Sequence, residues 1–163
     1  MATISFAGLD KYRGQMLALT KQADAIVKMA IYDGADIVAD AMRNEIVNLQ
    51  EVEDFYLYEK KQVPIRGITA RQKAGLLAGL GLAKMSERGG MVSTKIGMAG
   101  YNSVRTKKYP KGQPNALIAR SVLRGTSYRL KDDFTGRAVR KTRAAAEKQM
   151  QKTIEQQIEK RMK

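Results

Sequence analysis

Both ends of the chain carry long runs of helical periodicity, and this pattern constrains the fold more than any other feature. In the first run, from Asp10 to about Leu49, apolar residues recur at three- and four-residue steps, and Asp10 is the predicted N-cap. The second run extends from about Asp132 to the C-terminus, with Asp132 or Asp133 as its cap. The predicted buried positions are Tyr12, Met16, Leu19, Ala23, Ile26, Ala30, Ile37 and Ala41 in the first helix, and Phe134, Ala138, Ala145, Ala146, Met150, Ile154, Ile158 and Met162 in the second.

Shorter elements are predicted between the two long helices. Thr69 resembles the N-cap of a short helix over ARQKAGLLAGLGLAKM. The three glycines of this helix are typical of a loosely specified core segment. Arg88-Gly89-Gly90 predicts a turn, followed by a strand over MVSTKIGM. We therefore expect one α+β domain over residues 1–163, in which the long N- and C-terminal helices pack around a small antiparallel sheet with one or two short helices.

Three features of the first third of the chain carry separate expectations. Gly34, in mid-helix, predicts a bend or close packing. Asp33, Asp36 and Asp40 lie at helical spacing, which suits a solvated face far better than a metal site. The stretch FYLYEKKQVPIRG, which begins at Phe55, is compatible with a strand or with an anchored loop.

Residue composition excludes several function classes. The chain has no cysteine and no histidine, which removes disulfides, thiolate nucleophiles, imidazole bases and the common zinc ligands. Phosphate-binding glycine loops and hydrolase motifs are also missing from the sequence. We expect no enzyme, and predict no catalytic residue, no cofactor-binding residue and no metal ligand. With no apolar run near 20 residues and no signal-like N-terminus, we expect a cytosolic site of synthesis and no membrane contact.

Charge is distributed unevenly along the sequence. The chain holds 30 Lys and Arg against 16 Asp and Glu, for a net charge of +14. Residues 1–59 carry 5 basic and 10 acidic groups, whereas residues 60–163 carry 25 basic and 6 acidic groups. Such asymmetry indicates either a half that faces nucleic acid or complementary faces on neighbouring copies of one subunit.

The most basic loop candidate is the stretch KKYPKGQPNALIARSVLRGTS, residues 107–127. Lys107, Lys108 and Lys111 combine phosphate-neutralising charge with the nearby rings of Tyr101 and Tyr109, which could stack on bases. The second half predicts a short helix with Pro114 in its first turn and Gly125 at its end. We interpret the stretch as an ordered hinge docked by Leu117, Ile118, Val122 and Leu123, with the three lysines as the candidate contact to a neighbouring subunit or to DNA.

The succession of motifs from Thr69 onward resembles the neck or tail-completion proteins of tailed bacteriophages and of prophage-derived particles. The motifs are TARQKAGLLAGLGLAKM, STKIGMAGYN, KKYPKGQPNALIARSVLRGTS and DDFTGRAVRKTRAAAEKQMQKTIEQQIEKRMK. Two positions depart from the family pattern. Residues 63–67 (VPIRG) stand where many members have Pro-x-x-Thr-Gly, and Asp133 replaces the proline of a Pro-Phe pair before Phe134.

The resemblance implies a structural, non-enzymatic virion protein of the phage neck. Such a protein would form a multi-copy ring that joins the head connector to the tail around the DNA channel. Its implied partners are other copies of itself, the adjacent head-closure or connector proteins, the tail-terminator or tail-tube proteins, and channel DNA through non-specific contacts. The implied location is the virion neck, with the host cytoplasm as the place of assembly. The alternative is a free-standing, non-specific nucleic-acid-binding protein, favoured by the excess of cations in the distal part of the sequence.

Overall fold

The computed structural model describes residues 9–53 and 64–162, and it confirms an α+β architecture. Two long helices enclose two short helices and a small antiparallel strand set. In chain order the elements are α1 (Leu9–Val47), α2 (Ala70–Gly79), β1 (Leu80–Leu82), β2 (Ser86–Arg88), β3 (Met91–Ser93), β4 (Ile96–Met98), α3 (Asn115–Arg124) and α4 (Phe134–Met162). Most of the stretch FYLYEKKQVPIRG lies outside the described ranges, whereas Ile65 forms an isolated bridge with Arg129.

Helices α1 and α4 pack against each other in antiparallel orientation. Glu45, near the end of α1, binds Arg137 in the second turn of α4, and Gln22 accepts a hydrogen bond from Arg161 near the end of α4. Midway between these contacts, the Thr153 hydroxyl donates to Asp33 at 2.6 Å. The pair therefore extends over more than 20 residues of α1, which corresponds to roughly 35 Å of helix.

Small residues make the contact between the two long helices close. A Cβ added at Gly34 would overlap the end of the Met150 side chain, so the predicted close packing at this glycine is confirmed. Of the predicted buried positions, Ile26, Ala30, Phe134, Ala138 and Ala146 are buried. The predictions for Met16, Ala23, Ala145 and Ile158 are wrong, because these side chains are exposed. The side chain of Tyr12 lies outside the described part of the chain.

The helix boundaries differ from the predictions by a few residues. Helix α1 begins at Leu9, so Asp10 lies inside its first turn rather than at the cap. At α4 the cap is Asp133, whose carboxylate accepts the Gly136 N–H at 3.1 Å. Thr69 is the N-cap of α2, as predicted, and it forms a capping box with Gln72. Helix α2 ends at Gly79 rather than near Met85.

The residues after α2 form a long two-stranded hairpin. Strand β1 pairs with β4 in the register Leu80↔Met98, and β2 pairs with β3 in the register Ser86↔Ser93. One extra residue on the first strand separates these two registers, which indicates a bulge. Gly89 and Gly90 form the predicted turn with φ values of 58° and 77°, the left-handed pair that a type I′ hairpin turn requires.

The core lies where the hairpin base and both short helices meet α1 and α4. Buried side chains come from each of these parts, and they include Ile46, Leu76, Leu80, Val122 and Phe134. The glycines of α2 serve this packing: a Cβ at Gly75 would overlap Asn102, and one at Gly79 would overlap the Ala99 carbonyl. The expectation that these glycines mark a loosely specified segment is therefore wrong, because they admit a close approach of the loop backbone. Among the described helices, none is long and apolar enough to cross a bilayer.

Candidate interaction surface

The basic loop between β4 and α3 is an ordered, hairpin-like structure. Its base is closed by an antiparallel bridge between Tyr101 and Pro114, and the Asn102 N–H donates to the Gln113 carbonyl at 2.9 Å. At its tip, the backbone N–H groups of Thr106 and Tyr109 each donate to the other's carbonyl, at 3.2 and 3.0 Å. Gly112 has a φ of 111°, and a Cβ there would overlap the Asn102 carbonyl. The loop is therefore ordered by backbone pairing, which agrees with the predicted hinge rather than with a disordered linker.

The loop presents its three predicted contact residues, Lys107, Lys108 and Lys111, to solvent. The Lys108 ammonium lies 5.7 Å from the centre of the Tyr109 ring, within range of a cation–π interaction. Tyr109 is half-buried. Of the two rings predicted to stack on bases, this one is therefore already partly covered within the chain. Tyr101, with 66% of its surface exposed, keeps an open ring.

Helix α3 adds two cations beside the loop. Pro114 occupies its N-cap, and Gly125 ends it with φ 74° while its N–H donates to the Ser121 carbonyl at 3.0 Å. Arg120 and Arg124, four residues apart, share the exposed side of the helix. Ile118 and Val122 dock the helix to the core as predicted, but Leu117 is 39% exposed and its predicted inward position is wrong.

A cleft of about 750 Å³ lies between the loop, α3 and the turn that follows it. Its described lining combines apolar walls with cations at the rim. The apolar and aromatic members are Val104, Tyr109, Leu117, Ile118 and Tyr128, and the rim cations are Arg120 and Arg124. Leu117 and Tyr128 each expose 39% of their surface, so the cleft leaves two large apolar side chains open to a ligand.

A buried polar network supports the floor of the cleft. Arg129, with 2% of its surface exposed, donates hydrogen bonds to the Ser121 hydroxyl and to Gln72 Oε1, the latter at 3.0 Å. Gln72 in turn donates to Gln113 at 2.9 Å, which ties α2 to the loop. Burial lowers the pKa of the Arg129 guanidinium from its ordinary value. Because each of these side chains is held by a hydrogen bond to the next, the network fixes the positions of the residues that form the walls of the cleft.

The decisive electrostatic feature of the middle segment, residues 64–131, is that most of its cations have no neutralising partner among the described residues. Twelve of its cations are exposed and form no ion pair with any described residue: Arg66, Arg71, Lys84, Arg88, Lys95, Arg105, Lys107, Lys108, Lys111, Arg120, Arg124 and Lys131. The same segment contains one acid, Glu87, which binds Lys28 of α1. The middle segment therefore presents positive charge to whatever binds it.

The charges of the two long helices, in contrast, are partly neutralised within the chain. Glu45 is 6% exposed and accepts hydrogen bonds from Lys141 and from Arg137, the latter at 2.7 Å. The hydrogen bonds from Lys141 and Arg137 hold the pKa of Glu45 below its usual range. An acidic residue of α1 and two basic residues of α4 therefore meet within one chain at this point.

The acidic row on α1 does not converge into a metal site. Asp36 and Asp40 are exposed, as expected of a solvated face, whereas Asp33 is half-buried and binds Thr153. Within the described ranges, no three acidic, histidine or cysteine side chains lie close enough together to hold a metal ion.

Sequence reasoning missed Arg120, Arg124 and Arg129. The first two carried a usable signal, since their spacing of four residues places them opposite the inward pair Ile118 and Val122. Arg129 carried none, because a single arginine after a turn does not differ in sequence from a solvated one.

Comparison with protein-family models, with curated proteins and with solved structures finds no match for this chain.

Proposed function

We propose that this chain is a structural subunit of a phage neck, which forms a multi-copy ring and joins the head connector to the tail around the DNA channel. The observation that carries the proposal is the set of twelve exposed cations of the middle segment that form no ion pair with any described residue. A ring subunit has a use for such charge, because it must bind a neighbouring copy on one side and tolerate polyanionic DNA on another.

In this proposal the chain acts without catalysis and without a cofactor. The two long helices provide a rigid body, and the basic loop with Lys107, Lys108 and Lys111 provides a contact to a neighbouring subunit or to channel DNA. The adjacent rings, a head-closure or connector protein and a tail-terminator or tail-tube protein, are its further partners. Its place is the virion neck after assembly in the host cytoplasm.

The experiment that tests this function disrupts the gene in cells that produce the particles. We expect filled heads and free tails that fail to join, with joining restored by the wild-type gene supplied in trans. Electron microscopy counts joined and unjoined particles, and mass spectrometry of purified particles detects the protein itself. Joined, DNA-retaining particles that lack this protein would show that it is not a neck subunit.

The exposed lysines of the ordered loop favour a second candidate, a free-standing protein that binds nucleic acid without sequence preference. This candidate predicts tight binding to duplex DNA at low salt that weakens steeply as salt is added, by a slope of about −0.9 per neutralised phosphate. Absence of binding at low salt would dismiss it. Retention of DNA binding by a protein that never enters particles would favour it over the neck subunit.

A further inference from the structure

The cleft beside α3 has the chemistry of a binding site for an acidic peptide with apolar side chains. Leu117 and Tyr128 leave apolar surface open in its walls, and Arg120 and Arg124 place two exposed cations at its rim. Its volume of about 750 Å³ lies within the range of pre-formed ligand sites, roughly 300–1,000 Å³. A ligand that combined carboxylates with aromatic or aliphatic groups would match both the walls and the rim.

The chain itself contains one stretch with this chemistry. Residues 51–59 read EVEDFYLYE, with four acids, three aromatic rings and no cation. Its described part follows α1, where Glu51 and Glu53 are exposed. Glu51 binds Lys73 at 2.9 Å, whereas Glu53 forms no ion pair with any described residue. The remaining residues, 54–59, contribute to the argument through their sequence alone.

The other acids at this end of the chain are less suited to an intermolecular contact. Glu45 binds Arg137 and Lys141, Asp33 binds Thr153, and Asp40 binds Arg43 at 2.8 Å. These carboxylates are therefore engaged within the chain, whereas Asp36 is exposed and forms no ion pair with any described residue. The segment 51–59 holds the densest acidic charge left for a partner.

We propose that the cleft of one copy binds the acidic segment 51–59 of a neighbouring copy. This inference rests on the proposed ring, and it names the two surfaces that join its subunits. The contact is heterologous, since each copy offers a cleft to one neighbour and an acidic segment to the other. The acidic composition of the segment is complementary to the rim cations, and its aromatic composition matches the apolar surface of Leu117 and Tyr128.

The absence of native cysteine permits a direct cross-linking test in the full-length protein. Glu53→Cys and Arg124→Cys are placed on two copies that carry tags of different size, mixed, and oxidised. We expect a disulfide-linked heterodimer on a non-reducing gel. The matched control pairs Glu53→Cys with Lys152→Cys, an exposed position on α4, and should give little product. Equal yields from both pairs would overturn the proposal.

A charge exchange separates a contact between copies from one within a copy. One variant carries Arg120→Glu and Arg124→Glu, and the other carries Glu53→Lys and Asp54→Lys, so that Glu51 keeps its bond to Lys73. Alone, each variant should associate about tenfold or more weakly than wild type at low salt, because like charges then meet at every interface. Mixed, the two variants should associate again, since the reversed cleft of one meets the reversed segment of the other. Circular dichroism checks that both variants keep the wild-type fold.

Each outcome of the exchange decides a different point. A mixture that stays dissociated, while all four substitutions in one chain restore association, would place the segment in the cleft of its own copy and overturn the proposal. A wild-type protein that stays monomeric at high concentration and low salt would overturn it as well. Neither result would touch the neck function, which is tested by the joining of heads to tails in the gene disruption.

Discussion

At the scale of single residues, Gly79 is the position where the smallest change should have the clearest cost. A Cβ there would overlap the Ala99 carbonyl and approach the Asn115 amide, which are parts of the loop backbone and its buried support. We expect Gly79→Ala to lower the free energy of unfolding by about 1–3 kcal/mol, as overpacking does elsewhere. Gly81→Ala is the matched control, because nothing lies within 4 Å of its added Cβ. Thermal unfolding compares the two, and equal stability would contradict the close approach.

Glu45 gives the second residue-scale prediction, a dependence of stability on pH. Its pKa is depressed in the folded protein by the hydrogen bonds from Lys141 and Arg137. A depressed pKa means that the stabilisation is present above the unfolded value of about 4.3 and is lost as pH falls through the lower folded value. We expect Glu45→Gln to cost about 1–2 kcal/mol at pH 7, since both partners are partly solvated.

Chemical denaturation across pH checks this prediction. The difference between wild type and Glu45→Gln should shrink as the pH falls below the usual range of a glutamate. Glu155→Gln serves as the control, because Glu155 is exposed and accepts its hydrogen bond from the neutral Gln151. A difference for Glu45→Gln that is constant from pH 7 to pH 3 would show that the carboxylate charge does not stabilise the helix pair.

At the scale of elements, Asp133 sets the start of α4. Its carboxylate accepts a hydrogen bond from the Gly136 N–H and so caps the helix with a side chain. A proline at this position would instead favour the helix start by fixing the backbone angle φ. We expect Asp133→Ala to destabilise the protein by about 1 kcal/mol and Asp133→Asn by only a few tenths, because asparagine caps equally well. Thermal denaturation measures both. Asp133 also forms an ion pair with Arg140 at 3.3 Å. If the two variants lost the same stability, this ion pair rather than the cap would be the stabilising contact.

The elements that could be predicted from sequence are those whose signal is local. The long helices, the cap at Thr69 and the turn at Gly89-Gly90 follow from periodicity and from residues with special backbone preferences. The end of α2 could not be predicted, because Leu80–Leu82 continue the apolar pattern and become a strand only by pairing with Ile96–Met98. The exposure of Met16 was equally hidden, since a periodic stripe does not show how far the helix that covers it extends.

At the scale of the whole molecule, the unneutralised charge of the middle segment predicts a salt-dependent interaction with DNA. Substituting Lys107, Lys108 and Lys111 together by glutamate should weaken binding to duplex DNA. The salt slope should fall by up to about 2.7, or 0.9 for each lost phosphate contact. The matched control reverses Lys148, Lys152 and Lys160, three exposed lysines of α4, for the same change in net charge. Fluorescence anisotropy over a salt series distinguishes a local contact from a general effect of charge.

For the proposed neck subunit, the same loop variant tests in particles whether the proposed contact matters for assembly. Charge reversal at all three lysines should reduce head–tail joining or DNA retention, while the α4 control should not. Unchanged assembly and DNA retention in the loop variant would remove these lysines from the proposed contacts.

The excess of positive charge itself was readable from the sequence. The separation of this charge into two helices with ion pairs between them and a middle segment with few described ion pairs became visible only from the packing of α1 against α4.

The antiparallel pairing of α1 with α4 also fixes where a marker can be placed. Because Arg161 lies beside Gln22, the last turn of α4 marks the pole of the molecule that is roughly 35 Å from the Glu45–Arg137 contact. A compact fusion or gold cluster attached after α4 would therefore be displaced along the helix axis from the basic loop. In averaged images of a neck, the radius and height of that density would report which pole points toward the head and which toward the tail.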